Sequence, residues 1–121
     1  MICFVLACHD RRSLTVQALK SAAKAASAAG FQSRFVLYDD GSSDGTADAV
    51  RRLSLPVTVI SGDGDAFWAK SMAIAEQAAL ADPVDDDWLI WLNDDVHLDG
   101  DAFERLAPNL VGERIVVAAM R

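Results

Sequence analysis

The amino-acid sequence predicts an α/β fold in which a mostly parallel sheet is flanked by helices. Short apolar runs rich in β-branched or aromatic residues alternate with helical stretches along the 121 residues, at the spacing of repeated βαβ units. The runs are nearly continuous in apolar residues, which is typical of strands covered on both faces. Polar, acidic segments follow them, and in an open parallel sheet such segments meet at one edge, where ligands bind.

Five strands are predicted, at residues 2–8, 34–39, 57–60, 88–92 and 114–119. Cys3 and Cys8 lie five positions apart in the first strand, so their side chains should point to opposite faces of the sheet. We therefore expect two unpaired thiols, which is typical of a reducing, cytoplasmic location.

Helices are predicted at residues 13–29, 44–53, 66–81 and 101–106. The first is the clearest, because leucine and alanine recur on one stripe at helical spacing and Gly30 follows its end. Ser43 or Asp44 is the expected N-cap of the second helix, and Pro83 lies just beyond the end of the third.

Composition indicates a folded chain with an acidic surface. Residues 1–121 suit a single compact domain, with 52% hydrophobic and 24% charged residues. The formal net charge of −7, from 11 basic and 18 acidic residues, argues against a nucleic-acid ligand. The acidic excess is compatible with a cation site, although it serves solubility equally well.

Targeting and spanning segments are not expected. No apolar run approaches the ~20 residues that a bilayer-spanning helix needs, and no basic leader precedes the first strand. The chain ends directly after the last predicted strand, so we expect it to be truncated relative to the whole protein.

Asn93-Asp94-Asp95 is the strongest local signal in the sequence. An apolar strand that delivers several oxygen ligands at its end can build a site for a hard cation. Mg²⁺ or Mn²⁺ would suit it, because these ions bind carboxylates together with substrate phosphates. An acidic turn that caps the following helix explains the triplet equally well.

Asp39-Asp40-Gly41-Ser42 follows the second predicted strand. A carboxylate at this position can accept the N3–H of uracil or thymine, and the glycine permits close backbone approach. Taken alone, the segment is more simply explained as a capped turn between a strand and a helix.

A diphosphate would need cations near these loops. Arg11, Arg12 and Lys70 are the candidates, arginine through its bidentate geometry and lysine as a point charge, although each is also an ordinary surface residue. The segment 62–65 offers two glycines whose amides could approach phosphate. Its aspartates would repel phosphate, so a flexible turn is the better interpretation.

The remaining chemistry-bearing residues have no specific arrangement. His9 and His97 lack metal-ligand spacing, and no nucleophile with a paired base can be assembled. Trp68 is the tryptophan most expected to line a pocket, since it lies near the start of a helix that faces the loops. Core packing is the alternative for all three tryptophans.

Three segments taken in order resemble the family 2 glycosyltransferases: 4–11, 35–46 with its Asp-Asp-Gly-Ser-x-Asp-Gly-Thr string, and 93–95. Their order and separation are more specific than any one of them. The resemblance implies a Rossmann-like GT-A fold of the nucleotide-diphospho-sugar transferase type. It also implies that the chain is the donor-binding half of an inverting enzyme, without the acceptor-binding half.

The resemblance also implies roles for individual residues at the nucleoside. Ala7 and His9 would line the base pocket, Asp40 would contact the pyrimidine, and Asp39 would support the loop. His9 and Asp10 stand where the family commonly has Tyr-Asn.

At the diphosphate, the resemblance implies that Asp94 and Asp95 lie near the ribose and a metal-bridged diphosphate. Asp95 matches the final carboxylate of the family's D-x-D pattern and would be the main metal ligand. Asn93 stands at the opening position and offers a neutral oxygen in place of a carboxylate.

The implied reaction transfers a sugar with inversion from a nucleoside diphosphate of the uridine or thymidine type to a glycan or lipid-linked acceptor. The general base would lie beyond Arg121, so we expect these residues alone to bind donor without useful transfer. Segment 62–70 is similar to enzymes that build bacterial surface polysaccharide, including rhamnosyl transferases. Contact with the inner face of a membrane would come only through missing regions or partners.

Three other protein classes share parts of this pattern. A receiver domain needs an acidic pair after the first strand and a lysine on the fifth, and this sequence lacks both. A sugar-nucleotide nucleotidyltransferase needs a Gly-rich, Arg-containing loop after the first strand, which is also missing. The serious alternative is a non-catalytic glycosyltransferase-like module that binds nucleotide or scaffolds a partner.

Overall fold

The computed structural model describes residues 1–113 and 115–116. Within them the elements are β1 Ile2–Cys8, α1 Arg12–Ala28, β2 Ser33–Asp39, α2 Thr46–Arg51, β3 Val57–Ser61, α3 Phe67–Ala81, β4 Trp88–Trp91, α4 Ala102–Leu106 and a 3-10 turn at Ala107–Asn109. The predicted strand at 114–119 falls largely outside the described residues. The other predicted elements are all present, with ends that differ by one or two residues.

The four strands form one parallel sheet in the order β3-β2-β1-β4. Ile2 of β1 pairs with Ser33 on one side and with Trp88 on the other, so β1 lies between two neighbours. All seven residues of β1 are buried. The predicted parallel sheet is therefore confirmed, and its near-continuous apolar strands are explained by helices on both faces.

Alternate residues of β1 contribute to two separate cores. On one face, Phe4 stacks on Phe35 with ring centroids 5.0 Å apart and meets the edge of Phe103 at 5.6 Å. Burying a side chain of this size contributes ~1.5–3 kcal/mol. Cys8 belongs to this face and Cys3 to the other. Both thiols are buried and free, as expected.

The second helix begins later than predicted, because Gly45 adopts a left-handed backbone with φ of +82°. Gly45 takes the N-cap position, so the expectation of Ser43 or Asp44 there is wrong. Asp44 lies one residue earlier, and its Oδ1 accepts the Thr46 amide N–H at 3.1 Å. Its Oδ2 also accepts the Arg12 amide N–H at 3.0 Å, at the start of α1. One aspartate thus stabilises the N-termini of two helices.

None of the helices in the described part of the chain has the length and apolar character needed to cross a bilayer.

The acidic connection between α3 and β4 is held by one arginine on β2. The Arg34 guanidinium donates to Asp86 at 2.6 Å, to Asp82 at 3.3 Å and to the Ala79 carbonyl at 3.0 Å. The arginine side chain is 10% exposed and that of Asp86 is 14% exposed. This network lies at the N-terminal end of the strands, where it fixes how the chain enters β4.

Replacing Arg34 by methionine should lower the free energy of unfolding by roughly 3 kcal/mol, because it leaves the mostly buried Asp86 carboxylate without its cation. Urea unfolding at pH 7 measures this. The matched control is Arg51→Met, which removes an exposed pair with Asp48 at 3.7 Å and should change stability by less than ~0.5 kcal/mol. Equal effects of the two variants would contradict the structural role of Arg34.

Candidate functional site

A cavity of about 600 Å³ opens at the C-terminal edge of the sheet. It is lined by residues from the ends of β1, β2 and β4 and from the start of α3: Ala7, Cys8, His9, Arg11, Asp40, Gly64, Phe67, Trp68, Ser71, Asn93, Asp94 and Asp95. Because the strands are parallel, their C-terminal ends meet at this edge, as the sequence predicted.

Seven of the nine residues predicted for the site line this cavity: Ala7, His9, Arg11, Asp40, Asn93, Asp94 and Asp95. Asp39, which the resemblance places in support of the loop, lies beneath that loop and is 4% exposed; its Oδ1 accepts the Ser42 amide N–H at 3.1 Å. Lys70 is exposed on α3 and does not line the cavity. Its position gives no support to the expected contact with phosphate, because the helix turns it towards solvent.

Cys8, Phe67 and Ser71 line the cavity without having been predicted. The sequence could have indicated Ser71, because Ser71 follows Trp68 by three residues and therefore lies on the same side of the helix as Trp68. Phe67 has a φ of +58°, a backbone conformation that no local pattern in the sequence indicates.

Asp40 is the most constrained polar residue of the site. It is 4% exposed, and its Oδ1 accepts the amide N–H groups of Gly64 at 3.1 Å and Ala66 at 3.2 Å. Its Oδ2 accepts the Phe67 amide N–H at 2.8 Å. Burial raises the pKa of Asp40, but the three amides outweigh burial and the net direction is downward. The carboxylate is therefore ionised. A carboxylate has about four positions that can accept a hydrogen bond, and the three amides occupy three of them, so one position remains free on Oδ2.

The loop after β2 packs against the turn that precedes α3. Gly41 has a φ of +69°, and a Cβ built on it would lie 2.7 Å from the Gly64 nitrogen and 2.8 Å from the Asp63 carbonyl carbon. The sequence predicts that Gly41 permits a close backbone approach. In the structure, the backbone of the turn at residues 63–64 is what approaches it. This contact brings the amides of the turn within reach of Asp40.

Replacing Gly41 by alanine should destabilise the fold by roughly 3 kcal/mol, from the left-handed backbone together with the clash. Gly30→Ala is the matched control, since Gly30 has a φ of +82° with nothing within 4 Å of the added Cβ. That change should cost about 1 kcal/mol. The difference in stability between the two variants, measured by thermal unfolding, gives the effect of the clash. Equal losses of stability would show that the two loops are not in contact.

His9 links the first and second strand ends. Its Nδ1 lies 2.5 Å from the Asp40 carbonyl oxygen, and since a carbonyl only accepts, Nδ1 carries a proton and donates. Its Nε2 lies 3.3 Å from Oδ2 of Asp10. The pKa of His9 is raised, first by the hydrogen bond to the Asp40 carbonyl and less by the carboxylates around it, while burial opposes the shift.

The raised pKa means that folding stabilises protonated His9. This contribution is fully present below the ordinary value of about 6.5 and is lost as pH rises through the higher folded value. In an NMR titration, the His9 ring should change charge above pH ~6.5 in the folded protein and return to ~6.5 in denaturant. A folded-state midpoint at or below 6.5 would contradict the Asp40 hydrogen bond.

Arg11 joins the two carboxylates that follow β4. Its Nη1 lies 3.4 Å from Oδ1 of Asp94 and 3.4 Å from Oδ2 of Asp95. Burial raises the pKa of Asp94, Arg11 lowers it, Asp95 raises it, and the net direction is upward. A cation between these carboxylates is therefore electrostatically favourable.

The side chains after β4 present few oxygen ligands for a divalent cation. Among the described residues, no group of three or more His, Cys, Asp or Glu side chains could hold a metal ion. Asp94, Asp95 and the Asn93 amide offer up to three oxygens, which suits Mg²⁺ or Mn²⁺ when phosphates and water supply the rest. The residues therefore fit a cation that is shared with a ligand.

Exposed aromatic rings form the α3 side of the cavity mouth. Trp68 is 52% exposed and meets the edge of Trp91, with ring centroids 5.9 Å apart and planes at 79°. Phe67 is 76% exposed. Trp68 therefore lines the cavity rather than the core.

The sequence matches the glycosyl transferase family 2 over residues 3–121. This chain belongs to that family. The receiver-domain alternative is therefore wrong. A search of curated proteins found no match.

Solved structures share the fold of this family 2 chain, TarS and PcManGT among them. TarS from S. aureus in complex with UDP-GlcNAc has 17% sequence identity and a TM-score of 0.69, with 88% of this chain and 30% of that chain covered. The mannosyltransferase PcManGT from Pyrobaculum calidifontis, in complex with GDP-Man and Mn²⁺, has 15% identity and a TM-score of 0.72, with 93% and 32% covered. The expected GT-A fold is confirmed, and the chain spans about a third of these structures.

Proposed function

We propose that this chain is the donor-binding domain of an inverting glycosyltransferase and binds a nucleoside-diphosphate sugar together with Mg²⁺ or Mn²⁺. The observation behind the proposal is that a single cavity has an ionised acceptor, Asp40, at one strand end and the pair Asp94 and Asp95 at another. Membership of family 2 supports the reaction class. The nucleotide sugars bound by TarS and PcManGT support the ligand class.

At the nucleoside end, the one free acceptor position of Asp40 suits a single N–H. Uracil and thymine present one such group, N3–H, whereas guanine presents two neighbouring donors to a carboxylate. Ala7 leaves room for a flat ring, and His9 borders the same space. We therefore favour a uridine or thymidine diphosphate over a guanosine diphosphate.

At the phosphate end, we assign Asp95 as the main cation ligand, with the Asn93 amide beside it and Asp94 towards the ribose. Arg11 is the cation available to phosphate, since its side chain is 48% exposed and it already lies between the carboxylates. When bound, the divalent cation would neutralise charge on the departing diphosphate. Arg11 would orient the phosphates through its planar guanidinium.

The proposed reaction is a direct displacement at the anomeric carbon by a hydroxyl of a glycan or lipid-linked acceptor, as in surface polysaccharide synthesis. Such a displacement inverts the configuration. A general base is needed to take the hydroxyl proton, and we expect it from the acceptor-binding half. The isolated chain should then bind donor without useful turnover.

The second candidate is a non-catalytic module that binds nucleotide or scaffolds a partner. The neutral Asn93 and the small acidic set after β4 favour it, because both weaken the case for tight metal binding. The two candidates differ in whether nucleotide binding requires the cation.

Thermal unfolding with UDP, dTDP and GDP, each with and without Mn²⁺, tests the proposal. UDP and dTDP should raise the unfolding temperature in a Mn²⁺-dependent way, because a ligand of the native state stabilises by about 2.7 kcal/mol at a hundred times its Kd. Asp95→Asn should abolish the Mn²⁺-dependent part of the shift.

Asp99→Asn is the matched control for Asp95→Asn. Asp99 is an exposed aspartate that pairs with Arg105 at 3.3 Å and does not line the cavity, so its replacement should leave the shift intact. Stabilisation by nucleotide without any Mn²⁺ dependence would favour the non-catalytic module. No shift with any nucleotide would reject nucleotide binding and favour a module that only scaffolds a partner.

A further inference from the structure

One buried hydroxyl in the cavity has no partner within the protein. Ser71 is 1% exposed, and its Oγ makes no hydrogen bond. Ser71 nevertheless lines the cavity. Buried hydroxyl groups in folded proteins almost always have a hydrogen-bond partner, because an unpaired one forfeits its bond to water without compensation. The cavity that Ser71 lines can hold a ligand atom that would complement this hydroxyl.

Ser71 lies on the Asp40 side of the cavity. Asp40 accepts the amide N–H of Phe67 at 2.8 Å, and Ser71 lies one helical turn further along α3, about 6 Å along the axis and on the same face. Its neighbour Met72 packs in the same core cluster as Ala7 of β1. The carboxylate pair after β4 comes from a different strand end.

We propose that Ser71 is a specificity-determining residue whose hydroxyl hydrogen-bonds an oxygen of the nucleoside, either a base carbonyl or a ribose hydroxyl. The inference rests on the proposed function, in which this cavity holds a nucleoside diphosphate. Asp40 can only accept hydrogen bonds, whereas the Ser71 hydroxyl can also donate. Together they complement a ligand that presents an N–H and an oxygen on the same side, as a uridine nucleotide does.

The test is calorimetric titration of the chain and of Ser71→Ala with UDP in the presence of Mn²⁺. Loss of one neutral hydrogen bond should weaken UDP binding about five- to tenfold. Binding of inorganic diphosphate should be unchanged, because it has no nucleoside. The unfolding temperature of unliganded Ser71→Ala should stay equal or rise, since the variant removes an unpaired buried hydroxyl.

Repeating the titration with 2′-deoxy-UDP separates the two sources of the oxygen. If Ser71→Ala still weakens binding, the base carbonyl or another ribose oxygen is the partner, and if the effect disappears, the 2′-hydroxyl is the partner. Both results support the inference. An equal loss for inorganic diphosphate would overturn it, because the hydroxyl would then act at the phosphates.

Thr15→Val is the matched control. The Thr15 hydroxyl is fully buried without an oxygen or nitrogen partner, beside the Cys8 thiol, and does not line the cavity. This variant should leave UDP affinity unchanged. Ser71→Cys, which replaces the hydroxyl by a slightly larger thiol of the same shape that hydrogen-bonds weakly, should weaken UDP binding like Ser71→Ala and serves if the alanine variant does not fold.

The outcomes distinguish this inference from the proposed function. If the unaltered chain binds UDP and both Ser71 variants bind it equally well, only the role of Ser71 is overturned. If the unaltered chain binds no nucleotide, the proposed function and the inference are both overturned. A lower unfolding temperature with unchanged UDP affinity would assign Ser71 a purely structural role.

Discussion

The arrangement of the cavity depends on the buried carboxylate of Asp40 and the three backbone amides that it accepts. An ionised carboxylate removed from water is costly unless charged hydrogen bonds replace its solvation, and amide donors are effective replacements. Gly64, Ala66 and Phe67 supply them. These bonds join the end of β2 to the start of α3, so they set where the helix begins and which of its residues face the cavity.

The acidic excess of the chain is used in two physically different ways. Asp44 and Asp86 each satisfy internal donors, helix amides in one case and the Arg34 guanidinium in the other. These carboxylates stabilise the fold and have little acceptor capacity left for a ligand. Asp94 and Asp95 instead share a single half-exposed arginine, so they keep free oxygens towards the cavity. Net charge alone does not separate the two groups.

The sheet order β3-β2-β1-β4 places the two proposed ends of the cavity on different strands. With β1 between β2 and β4, the Asp40 loop and the 93–95 segment lie on either side of the β1 end, where His9 and Arg11 reach one each. The proposed nucleoside and phosphate ends therefore belong to different strands. Residues of α3 also line the cavity, which is why a hydroxyl of that helix can contribute to the proposed specificity.

Sequence by itself determined the α/β class, the four strands and four helices of the described residues to within two residues, and most cavity-lining positions. Apolar periodicity and strand-end composition are local properties, and parallel strands bring their ends together regardless of detailed packing. Tertiary structure alone decided that Lys70 is exposed outside the cavity, that Gly41 accommodates a neighbouring loop, and that Arg11 lies between two carboxylates. These depend on the rotation of α3 and the approach of separate loops, which arise from contacts between residues distant in the chain.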